Sequence, residues 1–217
     1  VYMNSSEADA RRNVGLLAAC QALLFTNNST LIAINGLAGL ALAPVAILAT
    51  LPVTCWVLGG ALSTMAASFH MKRVGRQAGL TWGTVWGIAG ALVCAAAIWT
   101  QSFWLLCFGT LVWGVYNGYG HWREALALGA DYVHLGQEDL AAADVATPDF
   151  RPMAISLVLA GGLVGGILGP TTSRLTVELL APKFLGTYLS LIGFAVATMV
   201  ILRFIRIPTP TASEAAA

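Results

Sequence analysis

Residues 80–100 read LTWGTVWGIAGALVCAAAIWT, 21 positions without a charged side chain. A helix rises about 1.5 Å per residue, so this stretch covers about 30 Å, the thickness of a bilayer's hydrocarbon core. Working outward, five more stretches are predominantly apolar: 13–34, 43–69, 103–119, 153–169 and 184–204. The second holds Pro44 and Pro52. Lipid offers no partner for exposed N–H and C=O groups, so each run is expected to be a helix that satisfies its own backbone. A membrane barrel would alternate polar and apolar residues with period two, and these runs do not. The expected fold is all-α, a polytopic membrane protein with six transmembrane helices.

Composition agrees. The chain of 217 residues is 58% hydrophobic and 10% charged, against about 25% charged in a soluble domain. There is no Asp or Glu between Ala10 and Arg123. A net charge of +1 suggests no nucleic-acid partner. Cys20, Cys55, Cys94 and Cys107 lie inside apolar runs without a CxxC pair, which reads as small packing residues rather than metal ligands or disulfides. Arg11 and Arg12 precede an apolar run, but further runs follow, so a cleaved signal peptide is not expected. The first residue is valine, so the sequence is expected to begin inside a longer reading frame.

Loop charges set the expected orientation. Arg11 and Arg12 precede the first run, Lys72, Arg73 and Arg76 follow the second, and Arg203 and Arg206 close the sixth. The links after runs one and three carry no charge, and the link after run five holds Arg174 and Lys183 against Glu178. Positive residues favour the cytoplasm, so both termini are expected inside a cell (inner) membrane. The chain divides into 1–120 with spans one to four, a polar insert at 121–141, 142–206 with spans five and six, and a disordered tail at 207–217 rich in Pro, Thr, Ser and Ala. Residues 121–149 with Arg151 carry two positive and six negative charges. A cytoplasmic loop this long needs a reason of its own.

Two motifs carry a resemblance. The link after span two runs Ser68-Phe69-His70-Met71-Lys72-Arg73-Val74-Gly75-Arg76-Gln77-Ala78-Gly79-Leu80. It resembles the G-x-x-x-D-R-x-G-R-x-x-x-L signature loop of the major facilitator superfamily. Arg73, Gly75, Arg76 and Leu80 match, while Lys72 replaces the acidic residue and Ser68 the first glycine. In physical terms this is a tight turn at Gly75 with cations at the inner membrane surface. In span five Gly161, Gly165 and Gly169 are four apart and share one helical face, which lets helix backbones approach closely. Pro170 follows and is expected to bend or end the helix. This run resembles the G-x-x-x-G-P motif of superfamily antiporters. The resemblance covers 10–119 and 142–206. It implies the N-terminal six-helix half of a twelve-helix transporter, with a second six-helix half or a homodimeric copy to complete it.

Intramembrane polar residues are costly and usually face the bundle interior. Gln21, Asn27, Asn28, Ser29 and Thr30 in span one and Tyr116, Asn117 and Tyr119 in span four are therefore the candidate solute path. No carboxylate lies in any span, so this half gives no support for a proton relay. Trp82, Trp99 and Trp104 near span ends read as interface anchors.

Residues 121–140 resemble something else, an internal piece of thiamine phosphate synthase, through Gly129-Ala130-Asp131-Tyr132-Val133-His134-Leu135-Gly136-Gln137-Glu138-Asp139-Leu140. The resemblance implies that Asp139 would sit where that enzyme binds magnesium. A barrel of that kind needs roughly 200 residues or more, and one helix and one strand cannot close it. No cofactor and no enzyme activity are expected. A recombined reading frame or a chimera accounts for the two junctions better than an evolved loop. The expected function is secondary transport of a small solute across a lipid bilayer by an incomplete half. A non-transporting membrane subunit, assembling through the span-five glycines, is the alternative.

Overall fold

The computed structural model describes residues 7–74, 76–121 and 151–204. Among them run six α-helices: α1 Glu7–Leu42, α2 Leu51–Val74, α3 Arg76–Trp99, α4 Phe103–His121, α5 Arg151–Thr176 and α6 Leu185–Phe204. The acidic insert with Asp139, the loop glycine Gly75 and the C-terminal tail lie outside the described residues. Five of the helices are long and apolar enough to cross a membrane. The exception is α4, whose 19 residues include Tyr116, Asn117, Tyr119 and His121. It packs between α2 and α3 and runs through the same layer as both.

One expectation about proline is corrected and another is narrowed. Pro44 is not inside a helix: α1 ends at Leu42, a 3₁₀ turn covers Ala46–Leu48, and α2 starts at Leu51. Pro52 is then the second residue of α2, where its missing N–H has no intrahelical partner to lose. Pro170 does not end its helix, because α5 continues to Thr176. A proline crowds the carbonyl four residues back. Here that carbonyl belongs to Gly166. At the same turn Thr30 Oγ1 of α1 shares its proton between the Thr26 carbonyl of its own helix at 2.7 Å and the Gly169 carbonyl at 3.0 Å.

The link between α3 and α4 shows how short the turns can be. Gln101 has φ 53°, the left-handed conformation. Ser102 N–H donates to Ala97 O at 2.9 Å and Gln101 N–H to Ile98 O at 3.3 Å, so orphan carbonyls at the end of α3 are satisfied. Ser102 Oγ accepts from Leu105 N–H at 3.4 Å and caps α4.

Helix directions follow from the contacts. Ala18 and Ala22 of α1 meet Gly161 and Gly165 of α5 in the same order, so α1 and α5 are parallel. Gly59, Gly60 and Ser63 of α2 meet Gly114, Asn117 and Gly118 of α4 in the same order, so these are parallel too. On α3, Gly83, Gly87 and Gly90 receive Tyr119, Tyr116 and Trp113 of α4 in reverse order. Arg12 donates to Phe204 O at 3.4 Å while Asn35 meets Tyr188, so α1 and α6 are antiparallel. The helices therefore alternate in direction. The N-terminal part of α1 and the C-terminal end of α6 share one face of the bundle.

The helices group by their pairing. α1 packs chiefly on α5 and α6, α4 packs chiefly on α2 and α3, and α3 against α6 joins the two groups. The main apolar core lies where α1, α3, α4 and α6 converge, with Leu31, Ile34, Ile98, Leu106, Trp113, Tyr188 and Leu191. Val14, Leu17, Cys20, Leu80, Ala154, Val158 and Leu202 form a second cluster. In the most apolar window of α1, 56% is buried within the chain, against 17% in α2 and 28% in α5. Large apolar side chains stand out from the last two, among them Leu62, Met65 and Phe69 on α2 and Leu163 and Ile167 on α5. Cys20, Cys94 and Cys107 are buried, Cys55 is half-buried, and all four are free thiols.

Candidate solute path

Small residues bring α1 close to its neighbours. A Cβ at Gly165 would meet the carbonyl of Ala22, the Cβ of Phe25 at 2.8 Å and the backbone N of Thr26 at 2.9 Å. One at Gly161 would meet the Ala18 carbonyl, and one at Gly169 would meet Ser29 and the Thr30 nitrogen. The α5 glycine face is thus occupied by α1 of the same chain. Ser29 and Thr30 sit at this crossing.

The flank of α1 next to this crossing is polar, with Gln21 Cγ 3.5 Å from where a Gly162 side chain would begin. Gln21, Asn28 and Asn35 recur every seven residues, two helical turns, and so form one stripe. All three are buried, at 3%, 7% and 1% exposure. Asn28 Nδ2 donates to Asn117 Oδ1 of α4 at 3.0 Å. Asn35 Oδ1 accepts from the Tyr188 hydroxyl of α6 at 2.7 Å. Three atoms of this stripe are sealed from solvent and have no hydrogen-bond partner among the described residues: Gln21 Oε1, Asn28 Oδ1 and Asn35 Nδ2. Leaving such a group unpaired costs about 1–3 kcal/mol. Asn27 is fully buried, and neither of its amide atoms has a partner among the described residues. It lies one turn from Leu24 and Leu31, on the core side of α1 rather than on the stripe.

Asn117 is half-buried, and its Nδ2 is 3.3 Å from where a Gly60 side chain would begin. The absence of a side chain on α2 leaves that amide its room. Tyr116 packs over Gly87 of α3 and stands edge-on to Trp113, ring centroids 5.4 Å apart. Tyr119 packs over Gly83, and its hydroxyl is 3.0 Å from His70 Nδ1 of α2. The structure therefore brings Asn28 and Asn117 together, with Gln21 on the same stripe. Tyr116 and Tyr119 line a void of about 10 Å³ with Cys20, Leu24, Leu80, Thr84, Thr198 and Leu202, about the room one water needs. Arg73 is exposed on the last turn of α2, and Arg76 opens α3.

Sequence reasoning passed over three features. Asn35 was legible from its seven-residue spacing to Gln21 and Asn28. The α2–α4 crossing was signalled by Gly59-Gly60 and by Gly114 with Gly118, four apart. The contact of His70 with Tyr119 had no local signal, since 49 positions separate the two residues.

The stripe is neutral. No carboxylate lies between Ala10 and Arg123 or within α5 and α6. A buried charge would face a large desolvation cost with no counter-ion on these faces, so the stripe suits an uncharged polar group.

A six-helix membrane bundle with outward apolar helices and an inner stripe of amides defines a polytopic protein of the transporter class. The chain belongs to the Sugar (and other) transporter family, which it matches over residues 5–121, and so to the major facilitator type. It is also similar to the riboflavin transporter RfnT of Brucella anthropi, 35% identical over 200 residues. That similarity covers 92% of this chain and 46% of the relative, so the chain spans about half the length of the curated relative it matches.

Proposed function

We propose that this chain is one six-helix half of a secondary transporter that moves a small neutral solute along the seam between α1 and α4. The observation that carries this reading is the pairing of Asn28 with Asn117 across that seam, on a stripe of buried amides with open hydrogen-bonding atoms. In a membrane such groups are retained where they face a solute, a water path or a facing protein. Membership of a transporter family supports the solute. The similar protein's name supplies riboflavin as the first solute to try.

A second six-helix body, from a longer polypeptide or a second copy, would cover α2 and α5. Their low burial within the chain supports that placement. Arginines at one end support a membrane orientation with both termini in the cytoplasm. At the other end Glu178 and Lys183 form an exposed ion pair at 3.2 Å, which leaves Arg174 as the uncompensated charge of that link. The non-transporting alternative relied on the α5 glycines as an assembly face, and α1 fills that face. The enzyme-like insert carries no part of this proposal.

The test is uptake of labelled riboflavin into proteoliposomes containing the chain, alone and co-reconstituted with a complementary six-helix half. Uptake is expected only with both halves. No uptake of riboflavin or of other small neutral solutes in either case would defeat the reading.

A further inference from the structure

A carboxamide presents a donor and an acceptor side by side. Its natural complement is another donor–acceptor edge, which it reads with two hydrogen bonds, as asparagine does with adenine. Asn28 has this edge, but Asn117 satisfies only half of it. Nδ2 of Asn28 donates to Asn117 Oδ1 at 3.0 Å, while Oδ1 of Asn28 is sealed from solvent and has no hydrogen-bond partner among the described residues. Asn28 is 7% exposed and sits on a packed helix. Asn117 is half-buried beside the bare backbone of Gly60, so it is the partner with room to move.

We infer that Asn28 recognises a neutral solute through a cyclic –CO–NH– edge, the lactam or imide edge of a heterocycle, which displaces the Asn117 amide. This inference rests on the solute path proposed above. The solute carbonyl accepts from Asn28 Nδ2, and the solute N–H donates to Asn28 Oδ1. The exchange trades one hydrogen bond for two and pairs the acceptor that the closed seam leaves open. Gln21 Oε1 is a second open acceptor on the same stripe, about 10 Å away at about 1.5 Å per residue. It is placed for a hydroxyl donor on the far end of the same solute. The neutral stripe excludes a charged edge, because neither a carboxylate nor an ammonium would find a counter-charge there.

The experiment measures binding to the full chain in lipid nanodiscs by equilibrium dialysis with three probes. These are lumiflavin, whose imide N3–H is its only ring N–H, its N3-methylated analogue, which has no –CO–NH– edge, and a neutral hexose, which has none either. Lumiflavin is expected to bind at least tenfold more tightly than the methylated probe, since the lost bond leaves a buried acceptor unpaired. Asn28→Leu is expected to abolish that ratio. This comparison of ligands on the unaltered chain stands even where the variant fails to fold. Equal binding of lumiflavin and its methylated analogue overturns the inference, as does binding of neither. Binding of the hexose alone, lost in Asn28→Leu, overturns the imide edge and leaves the path standing. Binding of any probe that is unchanged in a folded Asn28→Leu variant overturns both.

Discussion

The amides of Asn28 and Asn117 share one hydrogen bond of 3.0 Å across a seam where α1 and α4 otherwise make little contact. Each belongs to a different group of three helices, α1 with α5 and α6, and α4 with α2 and α3. Asn117→Leu is expected to keep the fold, because Asn117 is half-buried and its neighbour Gly60 leaves space. Solute uptake by the two-half assembly should fall tenfold or more, because leucine cannot re-form the amide hydrogen bond to Asn28 that closes the seam once the solute has left. Uptake normalised to the amount of protein in the membrane checks this, and normal uptake would remove the seam from the path.

Gly165 and Gly166 are adjacent and predict opposite outcomes. Gly165→Leu drives a side chain into Ala22, Phe25 and Thr26. Overpacking of this kind costs about 1–3 kcal/mol, and more where backbone is struck. The thermal midpoint in detergent should drop, or the protein should fail to accumulate. Gly166→Ala meets nothing within 4 Å and should be neutral or slightly stabilising.

The α2–α4 crossing predicts a second intolerant glycine. A Cβ at Gly114 would meet the carbonyl of Trp56, the nitrogen of Gly60 at 2.7 Å and the Cα of Gly59 at 2.8 Å. Backbone atoms cannot rotate aside as a side chain does. Gly114→Val is expected to lower the thermal midpoint as strongly as Gly165→Leu. Gly193→Val, in α6 with nothing within 4 Å, is the matched control and should not.

Alternating helices place Arg73 and Lys183 at opposite membrane faces. In a background with the four cysteines replaced by serine, Arg73→Cys should react with an impermeant thiol reagent only after the cells are opened. Lys183→Cys should react in intact cells. The reverse pattern would invert the orientation.

Leu62 on α2 and Ile167 on α5, 75% and 68% exposed within the chain, should be covered by a second six-helix body. Spin labels at Leu62→Cys and Ile167→Cys should be shielded from lipid-dissolved oxygen when a complementary half is co-reconstituted. A label at Trp104→Cys, on the outer side of α4's first turn, should be unaffected. Unchanged accessibility at Leu62 and Ile167 would move the second body elsewhere.

Much of this fold is legible locally. The spans at 80–100 and 184–204 stand within a few residues of α3 and α6, because hydrocarbon demands the same thing of every residue in a crossing segment. Boundaries near proline were less legible. Pro44 and Pro170 look alike in sequence, yet one lies in a turn and the other inside a helix. The difference is in the surroundings: α1 packs along the Pro170 turn, and its Thr30 bonds to the Gly169 carbonyl there.

The polar residues of span one were legible as a group but not as individuals. By sequence, Asn27, Asn28, Ser29 and Thr30 are one run. In the bundle Asn27 faces the core, Asn28 reaches α4, and Ser29 and Thr30 meet α5. Consecutive helical residues point about 100° apart, so their partners depend on which helix stands at each angle.

By itself the sequence determined that this chain crosses a bilayer about six times, which end carries the cations, and which residue types are out of place in lipid. These follow from transfer free energies that each segment meets independently. The tertiary structure alone decided that α1 lies between α5 and α6, that α4 lies between α2 and α3, and that Asn28 meets Asn117. In lipid, apolar helices gain little from one another by burial, so partners are chosen by close backbone approach at glycines and by hydrogen bonds. Both depend on residues as far apart as Gly60 and Gly114, or Asn28 and Asn117, whose match exists only once the helices are assembled.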